Sequence, residues 1–145
     1  MPVDYYIDHK RRLIRARGKG VLTEGDILNY QQKVFSTPEV RGYDELVEMA
    51  DVSEFEVPDA TSLSVRKLAS EAAAMDPPDT PSKFAVVATD LLAFGLSRMF
   101  QTYRGLDPRS TKKVELFSNL EDALAYLGID SLDDPDTTNW SQTDS

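Results

Sequence analysis

The 145-residue chain has the length of one average domain, and its 41% hydrophobic and 28% charged residues are ordinary globular values. It has no cysteine, which excludes disulfides, thiolate metal sites and cysteine nucleophiles together; its single histidine, His9, excludes multi-histidine metal sites. A formal net charge of -9 argues against a nucleic-acid backbone as a partner over a broad surface. The charge is uneven: Lys10, Arg11, Arg12, Arg15, Arg17 and Lys19 crowd the beginning, while Asp130, Asp133, Asp134, Asp136 and Asp144 follow residue 128 with no cation among them. The cluster HKRR starts at residue 9 with no apolar stretch behind it, so no signal peptide is expected. No run approaches the roughly 18 apolar residues of a membrane span, and a cytoplasmic domain is expected.

The β-branched and aromatic content of VDYYID predicts a strand over 3–8. HKRR then turns the chain, with His9 read as a solvated turn residue, into a second strand over 13–20. Its alternation puts Leu13, Arg15, Arg17 and Lys19 on one face and Ile14, Ala16 and Gly18 on the other. Asp4 and Asp8, alternating on the neighbouring strand, are placed to meet those cations across the hairpin. The competing reading of the cations is an anion or partner patch.

Thr23 followed by Asp26 makes a capping box with Asp in place of Glu, and Ile27, Tyr30, Val34 and Phe35 recur at helical spacing until Ser36-Thr37-Pro38. ELVEMAD (45–51) reads as a third strand, VSEFEVPDA as a loop, and 61 to about 75 as a helix with Val65, Leu68, Ala69, Ala72 and Met75 on one side. DPPDTPS breaks the chain. KFAVVAT (83–89) is an almost continuous apolar run, as a strand covered on both faces requires, and is expected at the centre of the sheet. Thr89 and Asp90 cap a helix over 91–104. KVELF (113–117) is a fifth strand; Asn119 caps a last helix with Leu120, Ala123, Leu124 and Leu127 inside, and Gly128 stops it. The expected architecture is a single α/β domain over 1–128, a five-stranded mixed sheet with about four helices mostly on one face. An acidic tail follows over 129–145, with Trp140 its one candidate anchor.

The 51–59 segment holds four carboxylates, Asp51, Glu54, Glu56 and Asp59. A calcium loop would need oxygen ligands at its first, third and fifth positions and glycine at its sixth; Phe55 and Glu56 occupy the last two, so no metal site is expected. Asp59 complements the dipole of the helix that follows, or serves a recognition loop. Gly18-Lys19-Gly20 fits no phosphate-cradling pattern. No catalytic residue and no cofactor are assigned. On the 91–104 helix, Leu92, Leu96, Met99 and Tyr103 form one stripe, while Phe94 falls nearly opposite beside Arg98 and Gln101. That apolar excess marks Phe94, with Arg98 and Gln101 as a polar rim, as a candidate partner or ligand surface, most simply a self-association contact.

The segment order and the 51–63 stretch resemble the STAS (SpoIIAA-like) domains. In those, a strand ending Asp-x-Ser-Gly precedes Asp-Ser-Ser-Gly-Leu at a helix start; here stand Asp51-Val52-Ser53 and Asp59-Ala60-Thr61-Ser62-Leu63. The resemblance implies a phosphoacceptor at Thr61 or Ser62, with Glu54 and Ser62 departing from the family glycines. The stretches KFAVVATDLLAFGLSRMFQTYR and VELFSNLEDALAYLGI look like the bacterial STAS/SEC14 branch, and the likeness runs diffusely over residues 3–128. It implies a non-enzymatic regulatory or protein-interaction module, a homo-oligomer among the possibilities. The alternative it implies is a binder of an apolar ligand or lipid, or of an anionic membrane surface, using a pocket beneath the 91–104 helix and the basic hairpin. An open cavity beneath that helix favours the ligand reading.

Overall fold

A computed structural model describes residues 3–56, 61–132 and 140–142, with the side chains of 61, 62, 141 and 142 excepted. The elements run β1 (Val3–Asp8), β2 (Leu13–Thr23), α1 (Glu24–Phe35), a 3-10 turn (Pro38–Val40), β3 (Asp44–Glu56), α2 (Thr61–Ala74), β4 (Ser82–Val87), α3 (Leu91–Leu106), β5 (Lys112–Phe117), α4 (Leu120–Leu127) and β6 (Ser141–Gln142). The five expected strands form one mixed sheet, and the two-residue β6 extends it to the order β5-β4-β3-β2-β1-β6. β2 through β5 are parallel; β1 pairs antiparallel with β2, and β6 antiparallel with β1. Among the described residues no helix is long and apolar enough to cross a membrane.

Local chemistry sets the boundaries. Asp8 Oδ1 accepts from the Arg11 N–H and closes the β1–β2 turn, where Arg12 takes the left-handed conformation. The capping box is complete: Thr23 Oγ1 accepts from Asp26 N–H, and Asp26 Oδ2 accepts from Thr23 N–H. Asn119 caps α4 through Asp122 N–H, and Gly128 ends it in the left-handed conformation at φ 75°.

Three helices cover one face and one covers the other. Tyr30 and Val34 of α1 pack on Ile14 and Ala16, while Phe100 of α3 packs on Phe84 and Val86; α2 lies beside α1 and α3. On the opposite face Ala123 and Leu127 of α4 close over Leu13, Leu46, Ala85 and Val87. β4 thus has the two-sided cover that its apolar run implied. It is not the central strand, however: β3, β4 and β5 are added outward one after another from β2, which leaves β4 second from the β5 edge.

β3 also corrects the sequence reading. It does not end at Asp51, and 52–56 is strand rather than loop. β2 continues beside it through Thr23↔Glu56, and two register shifts put one extra residue each on β3, between Glu48 and Asp51 and between Val52 and Glu54. The shifts break the period-2 pattern, so buried Val52 and part-buried Phe55 do not read as a strand.

Candidate functional site: a chamber beneath three helices

Between the sheet and the α1–α2–α3 layer lies a partly open chamber of about 110 Å³. Val65, Leu68 and Ala72 line it from α2, and Val47, Met49 and Phe84 from the sheet. Near the carboxyl ends of β2 and β3 its wall is apolar, built by Gly18, Leu22 and Phe55. Gly18 is needed there: a Cβ would stand 2.7 Å from Val52 Cγ2.

The opposite end, near the amino ends of β3 and β5, is polar. Lys112 Nζ lies 2.9 Å from Glu45 Oε1, and both side chains are almost completely buried. Tyr30 Oη donates to Glu45 Oε2 at 2.7 Å, and the Lys112 ammonium sits 3.8 Å from the centre of the Phe35 ring. Burial first, and then the Glu45 charge, hold the Tyr30 phenol well above the ordinary tyrosine range, so it stays a donor. A second buried pair closes this end: Arg104 Nη2 lies 2.5 Å from Asp76 Oδ2, which also accepts from Thr111 and Lys112 N–H. These charges neutralise one another pairwise. Midway, Gln31 Nε2 donates to Leu68 O at 3.4 Å, leaving Oε1 buried with no hydrogen-bond partner among the described residues.

The chamber does lie beneath the 91–104 helix, but α3 meets it on a different line from the expected one. Ala93, Ser97 and Arg104 are buried, with Leu96 and Phe100 also lining the chamber, whereas Leu92 is 59% exposed. The Leu92–Leu96–Met99–Tyr103 stripe misleads because the inward line carries a small residue, a hydroxyl and a paired cation. Phe94, Arg98 and Gln101 do come together: the Arg98 guanidinium lies 5.6 Å from the Phe94 ring centre and donates to Gln101 Oε1 at 2.9 Å. Gln101 Nε2 donates to Val114 O at 2.7 Å, so the group closes against the β5 edge strand. Phe94 is half-buried; the exposed large apolar residues of α3 are Leu91, Leu92 and Leu106.

α2 begins at Thr61, but the side chains of Thr61 and Ser62, and all of Asp59, lie outside the described residues. Asp51, Glu54 and Glu56 are exposed on the β3 extension. Among the described residues no group of three or more His, Cys, Asp or Glu side chains could hold a metal. His9 is exposed in its turn, with Nδ1 2.8 Å from Tyr43 Oη.

The basic hairpin is largely neutralised within the fold. Lys19 pairs with Asp4 across the strands, Asp8 pairs with Arg11 inside the turn, and Arg15 and Arg17 both reach Glu48 of β3. Glu48, Glu45, Lys112, Asp76 and Arg104 were missed from sequence. Glu45 alone carried a signal, as a charge sharing the inward alternation with Val47 and Met49. Compared with known proteins, the chain matches no family model, no curated protein and no solved structure.

Proposed function

We propose that this chain is a non-enzymatic binding module, similar to STAS/SEC14-type domains, that takes a small amphipathic molecule into the chamber beneath α2. The observation that carries the reading is the unpartnered Gln31 Oε1 in the wall of a chamber apolar at one end and polar at the other. A single water occupies roughly 10–15 Å³ on this scale, and a dry cavity of about 150 Å³ accepts benzene. The volume therefore suits a short aliphatic group or part of a ring, with a hydroxyl or amine to satisfy Gln31. Ligands of α/β sheets enter at the carboxyl ends of parallel strands, where the chamber has its apolar wall.

The test is a thermal upshift with millimolar 1-butanol or n-butylamine, together with native mass spectrometry of detergent-free protein. Ala72→Leu, which fills the chamber, should abolish the upshift with the circular dichroism spectrum retained. An unchanged response in Ala72→Leu, or no response in the unmodified chain, defeats the proposal.

A second reading, a regulatory protein-interaction module, is supported by Leu91 and Leu92, which are 93% and 59% exposed in the first turn of α3. It predicts a homodimer by light scattering that Leu91→Asp or Phe94→Asp dissociates. Phosphorylation at Thr61 or Ser62 belongs to this reading; unchanged partner affinity in both Thr61→Glu and Thr61→Ala would remove it.

A further inference from the structure

We propose that the far face of β1 and β2 is a peptide-binding site for an extended acidic segment carrying a tryptophan, which the chain's own tail occupies as a built-in competitor. α4 has eight residues and packs over β3, β4 and β5. Over β1 and β2 that face presents Tyr6, Arg15 and Arg17, and Trp140 lies on them.

The seat of Trp140 states the chemistry of the ligand. Trp140 is only 7% exposed, although what surrounds its indole is largely charged. Guanidinium carbons of Arg17 and Arg15 lie 4.5 and 5.3 Å from its ring centre, and the Tyr6 ring lies 6.2 Å away. Cations stacked on an indole face are attracted by the ring's negative quadrupole, and tryptophan is the best such partner. Next to it, Ser141 and Gln142 pair with Tyr5 and Asp4, adding a strand to the open edge of β1. The tail from residue 129 carries five aspartates and no Lys or Arg, a charge opposite to that of the two arginines, which within the fold share the carboxylate of Glu48.

Two features mark the tail as a replaceable occupant. Among the described residues only Asp4 and Tyr5 of the six-residue β1 have partners on that edge, and a segment paired along the whole strand makes more backbone bonds than this two-residue ladder. The indole Nε1 is buried with no hydrogen-bond partner among the described residues, an imperfection that a better-fitted segment removes. A tethered tail competes at an effective concentration on the order of millimolar, so partner affinity is masked until the tail is displaced.

The test uses the full chain and a fluorescein-labelled peptide of residues 134–145, DPDTTNWSQTDS. Trp140→Ala should bind the peptide at least tenfold more tightly than the unmodified chain, and Ser141→Pro should bind it more tightly too. Adding Arg17→Ala to Trp140→Ala, or replacing the peptide's tryptophan by alanine, should remove most of that gain. Equal binding by Trp140→Ala and the unmodified chain overturns the proposal. So does a concentration-dependent dimer of the unmodified chain that Trp140→Ala abolishes, because the occupant is then a second copy's tail. If Trp140→Ala and Ser141→Pro both fail to fold, the tail is part of the core and the proposal fails.

Discussion

Lys112 Nζ lies 2.9 Å from Glu45 Oε1, although 67 residues separate the two in the chain. Each is at the amino end of a parallel strand, and β4 lies between them. Removing one member of such a pair leaves an uncompensated buried charge, whereas replacing the whole group by apolar residues does not. Lys112→Ala should therefore destabilise the fold by about 3–5 kcal/mol. The triple variant Glu45→Leu, Lys112→Met, Tyr30→Phe should lie close to the unmodified chain. Urea denaturation of the two variants decides the matter; equal losses would mean that the pair stabilises the fold on balance.

Tyr30 gives the same cluster a pH signature. Its folded-state pKa is raised, so the folded chain holds the phenolic proton more tightly than the unfolded chain. That stability is fully present below about pH 10, the unfolded value, and is lost as pH rises toward the folded one. Tyr126, pushed up to about 12 by burial and then by Glu115 and Asp44, acts in the same direction. Between pH 10 and 11.5, Tyr30→Phe should reduce the fall in unfolding free energy by about one proton, about 1.4 kcal/mol per pH unit. Identical slopes would place the Tyr30 proton outside the linkage.

The elements of this fold were legible where local chemistry is sufficient. Thr23 with Asp26, Asn119, Gly128 and the 83–89 apolar run each identify their own boundary or burial without reference to the rest of the chain. The extension of β3 was not legible, because Val52 and Phe55 leave the two-residue period at the register shifts, and their partners on β2 lie some thirty residues earlier. Of the candidate site, the expectation of a pocket beneath the 91–104 helix agrees with the chamber, whose polar end stayed hidden. Arg104 continues the inward line of Ala93, Ser97 and Phe100, but an arginine there reads as solvent-facing until Asp76 is known to meet it. Long-range ion pairs leave no periodic trace in either partner's own segment.

Gly18 ties the β2–β3 extension to the chamber. A methyl group at this position meets Val52 Cγ2 at 2.7 Å and Leu22 Cδ2 at 3.6 Å, and both belong to packed core. Overpacking of this kind costs typically about 1–3 kcal/mol. Gly18→Ala should fall in that range, and adding Val52→Ala should cost less than the two single losses combined, because the shortened side chain makes room. A double-mutant cycle by thermal or urea unfolding reads this coupling directly. Strict additivity would show that the strand shifts to relieve the contact without help from Val52.

Asp76 and Arg104 should not be equivalent, although they form one ion pair. Asp76 Oδ2 accepts from Arg104 Nη2 at 2.5 Å, from Thr111 N–H at 2.9 Å and from Lys112 N–H at 3.3 Å, so one carboxylate also anchors the entry into β5. Arg104 keeps a second contact, Nε to Ser110 Oγ at 3.1 Å, and its guanidinium lies 5.6 Å from the Phe100 ring centre. Asp76→Ala leaves a buried cation and removes the acceptor of two backbone N–H groups, and should cost at least the roughly 3–5 kcal/mol of a broken buried pair. Arg104→Met keeps most of the packed length and leaves the carboxylate with both backbone donors. It should cost about 1–3 kcal/mol less, the scale of a donor or acceptor left unsatisfied. The same ranking should appear locally: hydrogen exchange at the Thr111 and Lys112 amides should accelerate in Asp76→Ala beyond the global loss of stability, but not in Arg104→Met. Equal destabilisation, with unchanged local exchange in both variants, would reduce the cluster to a simple ion pair and remove the anchoring role assigned to Asp76.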